Sequence, residues 1–574
     1  MLRVLTAADR HLRRFDVWPA IAALLAFGVL TVAAADGPAV LSLTLAGLLI
    51  ALLVWQLRDS LAGRLRSAQS VGTCVAARLL LAASVVVLTL QHGSYDGLVG
   101  WTAMVAAVLL SVGLLITPLD QALVPTVAGL PGVTVTTGPR FGYDVLVLVS
   151  LVALGIGVVA GAVAPGLLWV FEVAVLGWAV LGVLALLDLL RRLRSRSEAN
   201  RQLPEALSAL QPLFALHWSG PEQAAYQVSM WLPYLDRIGA PYVVVVRSRE
   251  NFDDIRALTD RPLVLREKMK ELDAVMVPSL KAVFYVNTAL LNNHLIHHTS
   301  RLHIQLNHGD SDKVASSNPV LRIYDRNYVA GQAAIDRFEQ NGVPTQPDFF
   351  RVVGRPQLDG LQIGAADPAD HPPTVLYAPT WSGFYQESDY SSLPWGAELV
   401  GRLAERGCRV IFRPHPYTNR SARTAAMAQA VREALAVDAQ RTGRRHLYGE
   451  EVERDMSIVD CFNASDAMVS DVSSVVSDYL QTEKPFAMVA VHREPTAFVQ
   501  RFPMARAAYV LRAGADGMDD LDEVLDELLV SDSRATERHA VKSYYLGEDH
   551  PGGPAQRFVD CAREDLGISA SITE

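Results

Sequence analysis

Four short polar turns carry most of the side chains in this sequence that are able to do chemistry. They read HGDSDK at 308–313, PTWSG at 379–383, RPHP at 413–416 and SDVSS at 470–474. Together they offer two histidines, a lysine, an arginine and several hydroxyls, a set that suits a bound diphosphate and a hydroxyl awaiting activation. His308 precedes Gly309, which lets a substrate approach the backbone, and an imidazole there is a candidate general base. The alternative is a ring that only hydrogen-bonds its own turn. Arg413 and His415, two residues apart in a turn stiffened by prolines, suit the charge on a leaving phosphate; otherwise they form a rigid loop with a solvated arginine. Thr380 and Trp381 offer a hydroxyl and an aromatic wall, or simple packing. In SDVSS, Asp471 and Ser473 are cap-type residues before a helix whose unpaired N–H groups favour an anion, or merely cap it.

These turns need elements to hold them. From residue 211 onward, continuous apolar runs alternate with helical patterns, which indicates parallel sheets covered on both faces. Strands are expected at 214–218, 242–247, 275–278, 282–286 and 302–306, with a helix over 288–298. A second round has strands at 375–378, 410–412, 466–469 and 486–491 and a helix over 397–406. The turn GRPQLD at 354–359 reads as a hinge between the rounds. The expected fold is two doubly wound Rossmann-like domains, with the four turns at the carboxyl ends of strands, where ligands bind in such sheets. His294, His297 and His298 have helical ligand spacing but no base or third partner, so no metal site is expected. Neither a Walker-type loop nor a dinucleotide fingerprint is present.

The first third differs in kind. Apolar runs at 17–35, 38–57, 74–91, 97–117, 143–163 and 165–190 are each near the length of about 20 residues that spans a bilayer. Arginines cluster before the first run and after the second and sixth, Arg140 follows the fourth, and the other connections have none. That pattern predicts six spans with both ends cytoplasmic. Glu172 and Asp188 lie within the last run, where a carboxylate is either paired, interfacial or part of a transport path. The expected layout is 1–190 six-span region, 191–210 basic juxtamembrane linker, 211–365 acceptor-side domain and 366–574 donor domain. A net charge of −9 over 574 residues argues against nucleic acid as the partner. Four scattered cysteines without a CxxC pair suit a reducing compartment.

Taken in order, HGDSDK, YDRNYVAG (324–331), GRPQLD, YAPTW (377–381), RPHP, SDVSSVVSDYLQTEKP (470–485) and GGPAQRFVD (552–560) resemble the CDP-glycerol glycerophosphotransferase family of teichoic-acid primases and polymerases. The resemblance implies a glycosyltransferase-B-like (GT-B-like) fold, a CDP-linked polyol donor, no metal and no cofactor. By it His308 is the base, His415 binds the donor diphosphate, and Ser473, Ser474 and Asp478 touch the donor, with Arg413, Thr380 and Trp381 beside them. Gly309, Asp310 and Lys313 are read as acceptor or phosphate contacts. The chain departs from the family's HGTP at Asp310 and Ser311, and from its YAPTWR at Ser382. The expected reaction transfers a polyol phosphate, from CDP-glycerol or CDP-ribitol, to a polyprenyl-linked or other membrane-bound acceptor at the cytoplasmic face of the cell membrane, with a homo-oligomer compatible. The alternatives are a nucleotide-sugar glycosyltransferase and a non-catalytic membrane scaffold or exporter-associated protein.

Overall fold

The computed structural model describes residues 17–61, 75–91, 98–112, 123–135, 138, 140, 144–163, 168–221, 224–309, 312, 314–364, 372–382, 389–491, 494–514, 517–518 and 520–568. The chain divides into two compact units, Met1–Ala128 with Gly132–Leu203, and Gly129–Pro131 with Pro204–Glu574.

In the first unit, helices α1 (Val17–Ala34), α2 (Ala39–Leu61), α3 (Val75–Gln91), α4 (Leu98–Val112), α5 (Asp144–Val163) and α6 (Leu168–Leu210) fall on the six apolar runs. Small residues let them pack closely: a Cβ on Gly161 of α5 would stand 2.9 Å from the Leu88 Cβ of α3. Ala22, Ala26, Val29 and Ala33 line one buried stripe of α1. The pattern on α6 runs the other way. Val173, Leu176, Val180, Val183 and Leu187 share one face and are each more than half exposed. Among the described residues, α6 alone is long and apolar enough to cross a membrane, with a mean hydropathy of 2.4 over its best window; the apolar helical stretches in α1, α2, α3 and α5 are shorter. The two carboxylates are both partnered: the Thr102 hydroxyl donates to Glu172, and Arg191 pairs with Asp188 at 2.8 Å. The segment 191–210, expected as a membrane-surface linker or short helix, is helical and continues α6. Its Arg, Glu, Gln, Leu and Ala residues are good helix formers.

The second unit holds two parallel sheets. Strands β1 (Phe214–Trp218), β2 (Tyr242–Val246), β3 (Leu263–Leu265), β4 (Ala282–Tyr285), β5 (Leu302–Gln305), β6 (Arg326–Val329) and β7 (Phe350–Val352) run in the order β3-β2-β1-β4-β5-β6-β7. Strands β8 (Thr374–Ala378), β9 (Arg409–Phe412), β10 (Ala467–Ser470), β11 (Phe486–Val491) and β12 (Tyr509–Ala513) form the second sheet, in the order β9-β8-β10-β11-β12. The doubly wound α/β class is therefore observed. Strand order reverses between β1 and β4 in one sheet and between β8 and β10 in the other, the positions at which doubly wound sheets bind ligands. The later helices used below are α7 (Gln332–Gln340), α8 (Gly396–Glu405), α9 (Ala422–Thr442), α10 (Ser474–Tyr479), α11 (Ala535–Leu546) and α12 (Gly553–Asp565).

Further expectations differ from the structure. Residues 275–278 are no strand: a 3-10 turn, Met269–Val275, ends there. The helix expected over 288–298 is broken into a 3-10 turn, Leu290–Asn292, and one turn, Asn293–Ile296. The closing helix α12 also departs from the expected layout, because it returns to the first sheet. Phe558 packs 5.2 Å from Trp231, Lys281 Nζ donates to the Leu566 carbonyl at 2.8 Å, and the Asp565 carboxylate takes Tyr328 Oη at 2.8 Å and Arg351 Nη2 at 2.9 Å. Removing Asp565 leaves a buried phenol hydroxyl without its acceptor. Asp565→Ala is thus expected to lower stability by about 2 kcal/mol, read as a lower melting temperature of the full chain, with Tyr328→Phe losing less.

Candidate active site

The turn after β5 is set by main-chain geometry. Asn307 adopts φ +60°, the left-handed region that asparagine tolerates. Its amide donates to Asn327 Oδ1 at 2.7 Å and to the Tyr328 carbonyl at 3.1 Å, and its carbonyl takes Trp231 Nε1 at 2.7 Å. This reversal presents His308, whose Nδ1 lies 2.9 Å from the Val286 carbonyl at the end of β4. A carbonyl only accepts, so Nδ1 carries the proton, and in the neutral ring the lone pair is on Nε2. The residue is open to solvent, yet protein surrounds it on most sides. That desolvation, and the nearby Arg355 guanidinium, hold the imidazole below its ordinary pKa, against the opposing pull of the Val286 carbonyl.

His415 has the opposite tautomer. Its Nδ1 accepts the Tyr417 N–H at 3.0 Å, so the neutral ring bears its proton on Nε2 and is a donor. The main chain therefore makes one histidine a proton acceptor and the other a proton donor. Aromatic rings flank His415: Trp381 at 6.2 Å, Tyr417 at 5.1 Å, and Tyr226 from the first half 6.4 Å from Tyr417.

The turn after β10 lies at the reversal of the second sheet. Asp471 is fully buried, and its carboxylate takes Thr380 N at 3.0 Å and Ser392 N and Oγ at 2.9 Å each. It fastens the ends of β8 and β10 together, and Ser470 Oγ adds a bond to the Ala378 carbonyl at 2.6 Å. The cap of α10 is Ser473, accepting from Val475 N at 3.4 Å. With six residues α10 is too short to add a large dipole, so any anion here would rely on hydroxyls and side-chain donors. Ser474 meets the histidine turn: a Cβ on Gly309 would stand 3.0 Å from Ser474 Oγ. Glycine at 309 thus lets the two turns touch.

Two residues behave differently from the sequence reading. Arg413 directs Nη1 onto the carbonyls of Val452 and Met456, the latter at 2.8 Å, so that atom fixes the Glu451–Asp455 turn instead of facing a phosphate beside His415. The Asp478 carboxylate is taken up by Arg355, with Nε at 2.7 Å and Nη2 at 3.0 Å, both side chains buried. Arg355 was missed as a site residue because GRPQLD reads as a turn. The available signal was a single arginine between glycine and proline, matched by a carboxylate within a neighbouring motif. Asp310 and Lys313 lie outside the described residues. Among the described residues no group of three or more His, Cys, Asp and Glu is placed to hold a metal; His294 Nδ1 sits 3.1 Å from Arg247 Nη2.

In an α/β protein, polar turns from two parallel sheets that meet at their strand ends lie where ligands bind. Residues 246–497 match the model of the CDP-glycerol:poly(glycerophosphate) glycerophosphotransferase family, a segment that takes in both histidine turns, YAPTW and SDVSS. The resemblance seen in the motifs thus holds over that segment, and the enzyme class is a CDP-glycerol glycerophosphotransferase-like phosphotransferase. No curated protein matches the chain. Among solved structures it is similar to the wall teichoic acid polymerase TagF, at 14% identity over 65% of this chain and 95% of that one, with a TM-score of 0.42. A UDP-N-acetylglucosamine 2-epimerase aligns at 12% identity over 63% and 97%, TM-score 0.40, and HepE of Anabaena, in complex with UDP and glucose, at 10% over 62% and 100%, TM-score 0.38. At such scores the fold is better read from the sheets themselves.

Asp471→Ala would strand three buried donors and is expected to cost about 3 kcal/mol or more, visible as a drop in melting temperature. A base acts in its neutral form, so kcat/KM should rise with pH through the His308 pKa. That acid limb is expected below the ordinary histidine value of about 6.5; a midpoint at or above it would rule out the ring as placed.

Proposed function

We propose that the chain transfers a polyol phosphate, glycerol or ribitol phosphate, from a CDP-alcohol to a hydroxyl of a lipid-linked cell-envelope glycan or polymer, releasing CMP. The observation that carries this reading is the pair of histidines with opposite tautomers, in a segment matching a family whose description names a CDP-glycerol donor. The acceptor hydroxyl attacks the distal phosphorus of the donor. His308 Nε2 takes its proton, the bond between that phosphorus and the bridging oxygen breaks, and the bridging oxygen departs with CMP. His415 donates from Nε2 to the diphosphate as charge builds on the leaving group. Ser473 and Ser474 contact the donor through their hydroxyls, Thr380 and Trp381 form its wall, and Arg355 acts beside them with its charge shared by Asp478. Gly309 brings the Ser474 hydroxyl against the turn that carries the base. In this scheme the His415 N–H, the serine hydroxyls and the Arg355 guanidinium meet the charge on the diphosphate, and no step calls on a metal or cofactor.

The outward apolar face of α6 supports placement in a bilayer. With α1 to α5 on the other apolar runs, we read a multi-pass membrane protein with its catalytic part on the cytoplasmic side, where CDP-alcohols are available, acting on an acceptor held in the same membrane.

The test uses the full chain in nanodiscs with a polyprenyl-linked acceptor and either CDP-glycerol or CDP-ribitol. CMP release is expected with one of them, falling about 100-fold or more in His308→Ala. Consumption of UDP-sugars without CDP-alcohols, or an unaffected His308→Ala, would overturn the assignment.

A further inference from the structure

Four residues after His308 in the sequence, Asp312 directs its carboxylate into a seam between the two halves. Its side chain is only 8% exposed. Oδ1 takes Arg337 Nη2 of α7 at 3.1 Å and Tyr545 Oη of α11 at 3.0 Å; Oδ2 lies 2.8 Å from the same phenol and takes Met504 N at 3.1 Å. Arg337 belongs to the half that carries His308, while Met504 and Tyr545 follow the second sheet. The seam has two further fastenings. Tyr544 Oη donates to Asp336 of α7 at 2.7 Å, and a Cβ on Gly331, at the head of α7, would stand 2.5 Å from the Tyr545 carbonyl carbon. The surfaces around Asp312 are therefore already locked, and the carboxylate connects the histidine turn to them.

All three of its partners are donors: a guanidinium, a phenol and a main-chain N–H. Only an acceptor-only group satisfies them together. An amide of the same shape would turn an NH2 toward a donor and lose at least one bond.

We propose that Asp312 is a positioning residue for the transfer reaction, strapping the turn that bears His308 to the second half so that Nε2 is held at the height of the attacking hydroxyl. The proposal rests on the reaction assigned above. It gives the HGDSDK turn a role for the acidic residue that follows the histidine: the base is placed by a bond to the half that holds the donor, and not by its own half alone.

Asp312→Asn, which keeps the shape, is the test variant, in the full chain in nanodiscs. A misplacement near 1 Å costs about 100-fold in rate, so kcat is expected to fall about 10- to 100-fold with the KM for CDP-alcohol changed less than about twofold. Tyr545→Phe should show a smaller loss of the same kind. The deciding measurement is the double variant. In a His308→Ala background, Asp312→Asn should slow the residual rate no further, because the strap acts through that ring; an equal additional loss means a general structural role and overturns the proposal. A wild type that releases no CMP defeats the assigned reaction separately. The strap is then read by hydrogen exchange, where the peptide over 306–314 should exchange about tenfold faster in Asp312→Asn and peptides of β8 to β12 should not. Unchanged exchange at 306–314 refutes the strap whatever the activity.

Discussion

The arrangement depends on the Arg355–Asp478 pair. Both side chains are buried, and the guanidinium grips both carboxylate oxygens, at 2.7 and 3.0 Å. Breaking a buried pair by removing one partner costs about 3–5 kcal/mol, because the survivor keeps an uncompensated charge. The two halves are therefore held in one relation where the pair sits. That place lies between the functional turns: Asp478 is on α10, whose first residue Ser474 abuts Gly309, and Arg355 is near enough to His308 to help depress its pKa. One ion pair thus joins the halves, and its guanidinium adds to the desolvation that lowers the pKa of the base.

The division of labour between the two histidines follows from main-chain groups. A carbonyl faces one Nδ1 and an amide faces the other. Each tautomer is set by a main-chain group, which sets this pair apart from an Asp–His arrangement. The aromatic rings around His415 and the left-handed Asn307 before His308 fix the angles of the two rings, while the local fold fixes their protons.

Much of this was legible in the sequence where one physical signal dominated. Runs such as YVVVV at 242–246 bury both faces and admit little but a central parallel strand, and the six apolar runs each became a helix. The His308, His415 and SDVSS turns were legible because strand ends in doubly wound sheets are where polar turns gather. The failures share a cause. Strands β3, β6, β7 and β12 are short or carry polar residues, as in RNYV at 326–329, so they form through neighbours and not through their own pattern. Arg413 and Asp478 were assigned by residue type and proximity in sequence, but each finds its partner across a long gap, 39 and 123 residues away. Periodicity and spacing carry no information about such pairings.

The returning helix α12 has a consequence for how the protein is made. The bonds from Lys281 to Leu566, Tyr328 to Asp565 and Arg563 to Ile238 span 285, 237 and 325 residues. At ribosomal rates of about 5–20 residues per second, the first sheet waits on the order of 15 to 60 s for its last covering element. During that interval Trp231 and Tyr328 lack Phe558, and a nascent α/β half with bare aromatic surface is what holdase chaperones bind. The first half is finished last, so the efficiency of biogenesis rests on residues synthesised at the far end of the chain.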